Sequence, residues 1–137
     1  MKVRLILGIG IAVLVLSVAF HLRGNDPETE GSLFPPCSFN KATGLHCPGC
    51  GGTRAGHALT NFKIGEAFRK NALLVVLLPF LAVAGAIEGV AWVKGAGYRG
   101  PRVRLPGGLS WALLILILGF WILRNIPLWP FELLAPH

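Results

Sequence analysis

Three long apolar runs, separated by polar segments, set the pattern of the chain. The first covers about residues 3–22 and holds no charged residue between Leu5 and Phe20. At about 1.5 Å per residue, a helix of this length reaches roughly 30 Å, the thickness of a bilayer core. Similar runs follow at about residues 72–93 and 109–126. The pattern therefore predicts an all-α membrane protein with three transmembrane helices.

The polar segment 23–71 lies between the first two predicted spans and contains two shorter helical patterns. Apolar residues recur there at helical spacing, first as Ala55, Ala58, Leu59 and Phe62 and then as Ile64, Ala67 and Phe68. Thr53 is the expected N-cap of the first short helix, and Asn61 is expected to end it in a left-handed conformation. Asn71 is expected to cap the second span. The pattern predicts short helices that lie in the headgroup region of the membrane.

The composition supports this architecture and narrows the choice of partners. Of 137 residues, 53% are hydrophobic and 14% are charged, against roughly 25% charged residues in soluble domains. The net charge of +7 comes mostly from basic residues that flank the apolar runs. Because no stripe of arginines interleaved with aromatic residues occurs, membrane lipids are the expected partner and nucleic acid is not. The length allows a single domain.

Basic residues are concentrated at two places in the chain. If the chain has three spans, both places lie on the same side of the membrane. Lys2 and Arg4 begin the chain, and four more lie between the second and third spans, namely Lys94, Arg99, Arg102 and Arg104. The positive-inside rule makes this side cytoplasmic, although three basic residues before the second span oppose it, namely Lys63, Arg69 and Lys70. The N-terminus is then cytoplasmic and segment 23–71 extracytoplasmic in a multi-pass cell-membrane protein. A cleaved signal peptide ending near Ser17-Val18-Ala19 is the alternative interpretation of the first run.

The second predicted span carries three unusual features. Pro79 lacks a backbone donor and is expected to kink the helix. Gly85 and Gly89 have GxxxG spacing, which lets helix backbones approach closely in a homo-oligomer or against a membrane-protein partner. Glu88 is expected to reach towards the interface rather than to form a buried functional carboxylate.

The chemically distinctive stretch of the chain is Cys47-Pro48-Gly49-Cys50-Gly51, in the middle of the polar segment. Two thiols three residues apart with a Pro-Gly turn between them form the half-site of many zinc ribbons. A complete site needs two further ligands, and Cys37 lies ten residues before Cys47. The expected metal site is therefore a closed zinc site made of Cys37, Cys47, Cys50 and His57. Pro35-Pro36 is expected to stiffen the approach to Cys37.

Three other interpretations of the cysteines stay open from the sequence, of which the simplest is that the thiols are inert. In an oxidising compartment, a disulfide between Cys37 and either Cys47 or Cys50 would hold the loop and leave one thiol over. Cys47 and Cys50 at a helix N-terminus would instead have lowered thiol pKa values, as in dithiol oxidoreductases. The βαβ context of thioredoxin-like enzymes is absent from the sequence.

Arg54 is unusual because it falls in the expected first turn of a helix. A cation there opposes the helix macrodipole by about 0.3–1 kcal/mol. A compensating anion is therefore expected: a cysteine thiolate, Glu66, or a phosphate of a lipid or substrate. Lipid or anion binding through Arg54 is accordingly a further functional hypothesis.

These residues together resemble a family of small bacterial membrane proteins catalogued as domain of unknown function 2752. The resemblance covers about residues 37–79 and rests on Cys37, Thr43-Gly44-Leu45, Cys47-Pro48-Gly49-Cys50-Gly51-x-Thr53-Arg54, Leu59, Ala67-Phe68 and Asn71. It implies a membrane protein with a cysteine-containing loop and no established activity. The leading hypothesis is a non-enzymatic membrane protein whose cysteine motif is structural or metal-binding and which acts through a partner. A membrane thiol oxidoreductase using Cys47 and Cys50 is the alternative.

Overall fold

All regular secondary structure in the described part of the chain is helical, as the hydrophobic pattern predicts. A computed structural model describes residues 2–29, 32, 34 and 37–135. Five α-helices follow one another: α1 (Lys2–Gly24), α2 (Ser38–Thr43), α3 (Gly52–Thr60), α4 (Ile64–Lys94) and α5 (Gly107–Leu123). Short 3-10 helices cover Gly95–Gly97 and Phe131–Leu134, and no strand occurs among the described residues. The Pro35-Pro36 pair lies outside them.

Two of these helices are long and apolar enough to cross a membrane. They are α1 and the continuous stretch Ile64–Gly97, which contains α4, and no residue of either apolar window is buried within the chain. Their apolar side chains face outward, with Leu16 69% exposed, for example. Such a surface suits lipid and not water, which distinguishes these helices from the core helices of a soluble protein. The third apolar helix, α5, has 17 residues and ends at Leu123, three residues before the predicted end of the third span.

Helix α4 is divided at Asn71, as the sequence predicts. The backbone of Asn71 is extended (φ −160°, ψ 92°), whereas the residues on both sides are helical. Its side-chain Oδ1 accepts a hydrogen bond from the Leu74 amide at 2.9 Å, which is the N-cap arrangement. The short helix before Asn71 and the long apolar helix after it are thus separate units. The backbone stays helical through Pro79, so the break in α4 lies at Asn71.

The predicted start of α3 is wrong by two residues, whereas its predicted end at Asn61 is right in position and wrong in conformation. The helix begins at Gly52, with Gly51 as its N-cap in a left-handed conformation (φ 79°), and Thr53 lies inside the first turn. At the other end Asn61 has φ −98°, and the left-handed residue is Phe62 (φ 62°). Asn61 instead donates its side-chain amide to the Arg23 carbonyl at 3.2 Å. A contact with α1, remote in sequence, therefore fixes the conformation of this helix end.

A small core of alanines joins α3 to the first part of α4. Ala55, Ala58 and Ala67 are fully buried there. Three larger apolar side chains pack around them, namely Leu59, Leu74 and Val75. Because alanine side chains are short, the two helices approach closely, and the loop that precedes α3 is brought against the start of the long helix. The other predicted apolar positions, Phe62, Ile64 and Phe68, are exposed.

Helices α1 and α4 run antiparallel. At one end the Arg4 guanidinium donates to the Trp92 carbonyl at 3.5 Å. At the other end α1 meets α3, where a Cβ at Gly56 would lie 3.5 Å from the Leu22 side chain. The N-terminal basic residues and the basic segment after α4 therefore lie at the same end of the molecule. That segment folds back on α4, because the Val103 amide donates to Glu88 Oε1 at 2.7 Å, with Arg102 3.1 Å from Oε2.

The close approach of α1 and α4 can be tested at two glycines of the same helix. A Cβ at Gly8 would lie 2.9 Å from Cγ2 of Val93, whereas a Cβ at Gly10 would meet nothing within 4 Å. We therefore expect Gly8→Leu to push the helices apart and lower the unfolding temperature in detergent, since a β-branched valine cannot move aside cheaply. Gly10→Leu is the matched control and should leave the unfolding temperature unchanged. Equal effects of the two substitutions would contradict this packing.

Candidate metal centre

The three cysteines of the chain converge on one point. The Sγ atoms of Cys37 and Cys47 are 3.6 Å apart, and those of Cys47 and Cys50 are 3.3 Å apart. All three sulfurs lie within 4.8 Å of one another. Two thiolates bound to tetrahedral zinc at about 2.3 Å each are separated by about 3.8 Å. The spacing is therefore that of a thiolate metal site.

The backbone of residues 47–52, which we call the knuckle, forms consecutive tight turns. The Cys50 amide donates to the Cys47 carbonyl at 3.0 Å, and the Gly52 amide donates to the Gly49 carbonyl at 2.9 Å. The Cys47 amide points the other way and donates to Cys50 Sγ at 3.2 Å. Such an amide stabilises negative charge on a metal-bound sulfur. The left-handed Gly51 then turns the chain into α3, which glycine does at low cost.

Cys37 reaches the knuckle through the short helix α2. The Gly44 residue that ends α2 is left-handed (φ 74°), and its amide donates to the Asn40 carbonyl. This turn sends the chain back so that residue 47 lies beside residue 37. The third sulfur of the cluster is thus supplied by a separate element and not by the knuckle itself.

Two buried polar side chains, at the start of the long part of α4 and at the end of α5, hold the carbonyl groups of the knuckle. Arg124, 1% exposed, donates from Nη1 to the carbonyls of Cys47 and Pro48 at 3.0 and 3.2 Å, and from Nη2 to that of Cys50 at 3.1 Å. Asn71, 2% exposed, donates to the carbonyls of Pro48 and Cys50 at 2.9 and 3.2 Å. The knuckle is therefore fixed to the start of the long part of α4 and to the end of α5.

Asn125 adds a third attachment, at the residue just before the knuckle. Its Oδ1 accepts from the His46 amide at 2.8 Å, and its Nδ2 donates to the His46 carbonyl at 2.8 Å. Sequence reasoning missed Arg124 and Asn125 as site residues. The available signal was a cation and an amide placed together at the end of an apolar run, where polar side chains need partners.

The thiols of Cys37 and Cys50 differ in acidity. The Asn40 amide, followed by the other two cysteines and opposed by burial, lowers the pKa of Cys37 to about 7. Burial, followed by the hydrogen bonds with Cys37 and Cys47, raises the pKa of Cys50 to about 12. The expectation that a helix N-terminus lowers the pKa of the dithiol pair is therefore wrong for Cys50. A buried thiol of raised pKa is a poor attacking nucleophile, so in a dithiol pair Cys50 could act only as the resolving thiol.

His57 lies away from the sulfur cluster. It sits two turns along α3 from the knuckle, where its Nδ1–H donates to the Leu22 carbonyl at 2.5 Å. The side chain thus caps the end of α1, and the potential metal-binding group contains Cys37, Cys47 and Cys50 without it. His57 lies on the face of α3 that packs against α1. It therefore contacts α1, although it is close to the knuckle in sequence.

Arg54 has the compensating anion that its position requires, and this anion is Glu28. Arg54 Nη1 lies 3.3 Å from Glu28 Oε1, and Lys70 binds the same carboxylate oxygen. The hydrogen bond from Lys70 is the main cause of a lowered pKa at Glu28. Glu66, the acidic side chain that the sequence offers as a partner, pairs with Lys63 at 3.4 Å instead. The linker after α1 is thereby tied to α3 and to the first part of α4.

A cleft of about 730 Å³ opens beside the cysteines. Cys37 and Cys50 form part of its wall, together with residues of the linker, the loop and the start of α3, including Glu28, Asn40, His46, Thr53 and Arg54. A metal held by the three sulfurs could therefore accept a further ligand from this side.

Comparison with known proteins agrees with the motif. No curated protein and no solved structure gave a significant match. One family model matches the chain over residues 37–85, a segment that holds the three cysteines, α3 and most of α4. This confirms the resemblance drawn from the cysteine motif. Residues 37–85 thus match the family model described as "Protein of unknown function (DUF2752)".

Proposed function

We propose that this protein is a small integral membrane protein whose three cysteines bind one thiophilic divalent metal ion at the membrane surface. The observation that carries the proposal is the mutual spacing of the three sulfurs, all within 4.8 Å. Independent features support it: an amide directed at Cys50 Sγ, and three knuckle carbonyls held by side chains of α4 and α5. The protein acts through a partner, and no reaction is assigned to it.

Zinc suits such a site best among common metals. Zinc(II) accepts thiolate ligands in tetrahedral geometry and does not change oxidation state. Three cysteines would leave a fourth ligand to be supplied by water, a small anion or a side chain of the neighbouring cleft wall. A metal ion bound by sulfurs from two separate loop segments would then hold Cys37 beside the knuckle. This is a structural role.

Metal analysis of the detergent-purified protein tests this proposal. We expect about one zinc ion per chain after anaerobic purification without chelator. The triple variant Cys37→Ser/Cys47→Ser/Cys50→Ser, prepared in parallel, should contain none. Equal metal content in the two proteins would show that any metal is bound elsewhere.

We further propose three spans, formed by α1, the part of α4 after Asn71, and α5, with the N-terminus in the cytoplasm. Lys2, Arg4 and the basic segment after α4 lie at the same end of the molecule. The positive-inside rule makes this end cytoplasmic, which supports the proposed orientation. The cysteine loop then faces the extracytoplasmic side. Contacts of the first part of α1 with α4, such as that of Arg4 with the Trp92 carbonyl, support retention of α1 in the mature protein over cleavage as a signal peptide.

Labelling of intact cells tests the orientation. In a variant lacking the native cysteines, a single cysteine replacing the exposed Asp26 should react with a membrane-impermeant maleimide. One replacing the exposed Gly97 should react only after the membrane is permeabilised. The opposite pattern would reverse the topology.

We also propose that the small face of α4 at Gly85 and Gly89 contacts a second copy of the chain or a membrane-protein partner. A Cβ at either glycine would meet nothing within 4 Å in the described chain, so this face is free of intrachain contacts. Gly85→Leu should reduce association in detergent, measured by light scattering, because close backbone approach requires glycine. Gly65→Leu, at another open glycine, is the control. An unchanged association state would show that this face meets only lipid.

A further inference from the structure

Arg124 is a buried cation without an acidic partner in the described chain. Two other arginines there, Arg54 and Arg102, each pair with a glutamate and are partly exposed. Arg124 is 1% exposed, forms no salt bridge among the described residues, and its Nε atom has no hydrogen-bond partner. Three carbonyl oxygens of the knuckle accept its other hydrogen bonds. Carbonyl dipoles stabilise a cation in part, but a buried charge is costly unless an opposite charge lies nearby.

The groups able to supply that opposite charge are the cysteines. Arg124 binds the carbonyls of Cys47 and Cys50, so the thiol groups of these two residues are close neighbours of the guanidinium in the chain. Three thiolates around one divalent ion sum to a single negative charge. This charge equals in size the positive charge of one guanidinium, which is held directly behind the same turn of chain.

We propose that Arg124 is the counter-ion of the loaded three-cysteine centre, so that metal binding and the docking of the end of α5 on the knuckle reinforce each other. This inference rests on the metal site proposed above. Coupling of this kind is reciprocal: if Arg124 strengthens metal binding by some factor, bound metal strengthens the docking of Arg124 by the same factor. The effect of metal binding at the loop would thereby be transmitted to α5. Arg124 is a positioning and charge-balancing residue, since its hydrogen bonds go to carbonyls and not to sulfur.

A purely mechanical clamp is the competing explanation, and Asn71 allows the two to be separated. Asn71 holds the carbonyls of Pro48 and Cys50 as Arg124 does, but it carries no charge. If only the fixed backbone matters, loss of either side chain should weaken metal binding to a similar degree. If charge matters, loss of the guanidinium should weaken metal binding much more.

Zinc affinity measured by chelator competition on the full-length protein in detergent tests the proposal. We expect Arg124→Gln to weaken zinc binding by about tenfold or more, within the usual range of coupling between sites. Arg124→Lys, which keeps the charge, should recover most of the affinity. Asn71→Ala should weaken binding less than Arg124→Gln, and the exposed Arg104→Gln should have no effect. Unchanged affinity in Arg124→Gln, or equal losses in Arg124→Gln and Arg124→Lys, would overturn the counter-ion role.

The wild-type protein provides a second measurement in case Arg124→Gln does not fold. Removal of zinc with a chelator should speed amide hydrogen exchange at residues 122–126, while residues 10–16 in α1 stay unchanged. Unchanged exchange at 122–126 would overturn the coupling even though zinc binds. A wild-type protein that binds no zinc would instead refute the metal site itself, so the two failures are distinguishable.

Discussion

Serine at any one of the three cysteine positions is expected to weaken zinc binding by at least about 100-fold, more than the loss of a typical outer-shell partner. Each sulfur supplies one ligand of a shared ion, so removal of one leaves an incomplete coordination shell. The double variant Cys47→Ser/Cys50→Ser should therefore be little worse than either single variant. Chelator competition gives the affinities, and thermal unfolding with and without zinc gives the associated stabilities.

His57→Gln is the matched control, because the sequence places His57 among the ligands while the structure places it at the end of α1. It should keep wild-type zinc affinity and lose only some stability. Small and additive effects of the three cysteine substitutions would show that the cysteines do not share an ion. A fall in zinc affinity in His57→Gln as large as that in Cys37→Ser would restore the ligand set read from the sequence.

Loss of the Asn71 side chain is expected to cost the largest amount of folding stability of any single polar substitution proposed here. Asn71→Ala removes the N-cap of the long apolar helix, worth about 1 kcal/mol. It also removes two hydrogen bonds to knuckle carbonyls, and leaving buried groups underpaired costs about 1–3 kcal/mol. We expect the free energy of unfolding to fall by roughly 2–4 kcal/mol, since these two contributions act in the same direction. Denaturant unfolding in detergent measures it.

Asn71→Ser separates the two contributions. Serine can still cap a helix but is too short to replace the amide donors, so it should recover about 1 kcal/mol relative to alanine. Asn25→Ala is the control, because Asn25 is exposed and its hydrogen bonds to His21 lie at the surface. Its effect should stay within about 0.5 kcal/mol. If Asn71→Ala changed stability no more than Asn25→Ala, Asn71 would not be the residue that joins the loop to the long helix.

Local patterns in the sequence predict most of the fold. The hydrophobic runs identify α1, the long part of α4 and α5, because an apolar run of this length without turn residues favours a helix. Asn71 is recognisable as a cap because it stands directly before such a run. The alanine spacing in α3 identifies its buried face. Each of these features depends on neighbours within a few positions, which is the range over which helix formation is decided.

The errors arise where distant residues decide the conformation. Asn61 does not become left-handed, because its side chain reaches the Arg23 carbonyl, 38 residues earlier. Arg124 and Asn125 contact residues 74–79 positions away, so no periodicity could reveal them. His57 is close to the knuckle in sequence, yet the turn of α3 directs it to α1. Cys37, in contrast, was correctly grouped with Cys47 and Cys50, because the left-handed Gly44 returns the chain to the same place.

Native mass spectrometry of the wild-type protein, followed by thiol alkylation of the denatured sample, is the most direct test of the metal centre. We expect one zinc ion per folded chain, lost on denaturation, and three cysteines that all become alkylated. A disulfide would appear as the loss of two hydrogens with no bound metal and a single alkylated cysteine. That result, or a metal-free folded chain with three free thiols, would contradict a metal centre at Cys37, Cys47 and Cys50.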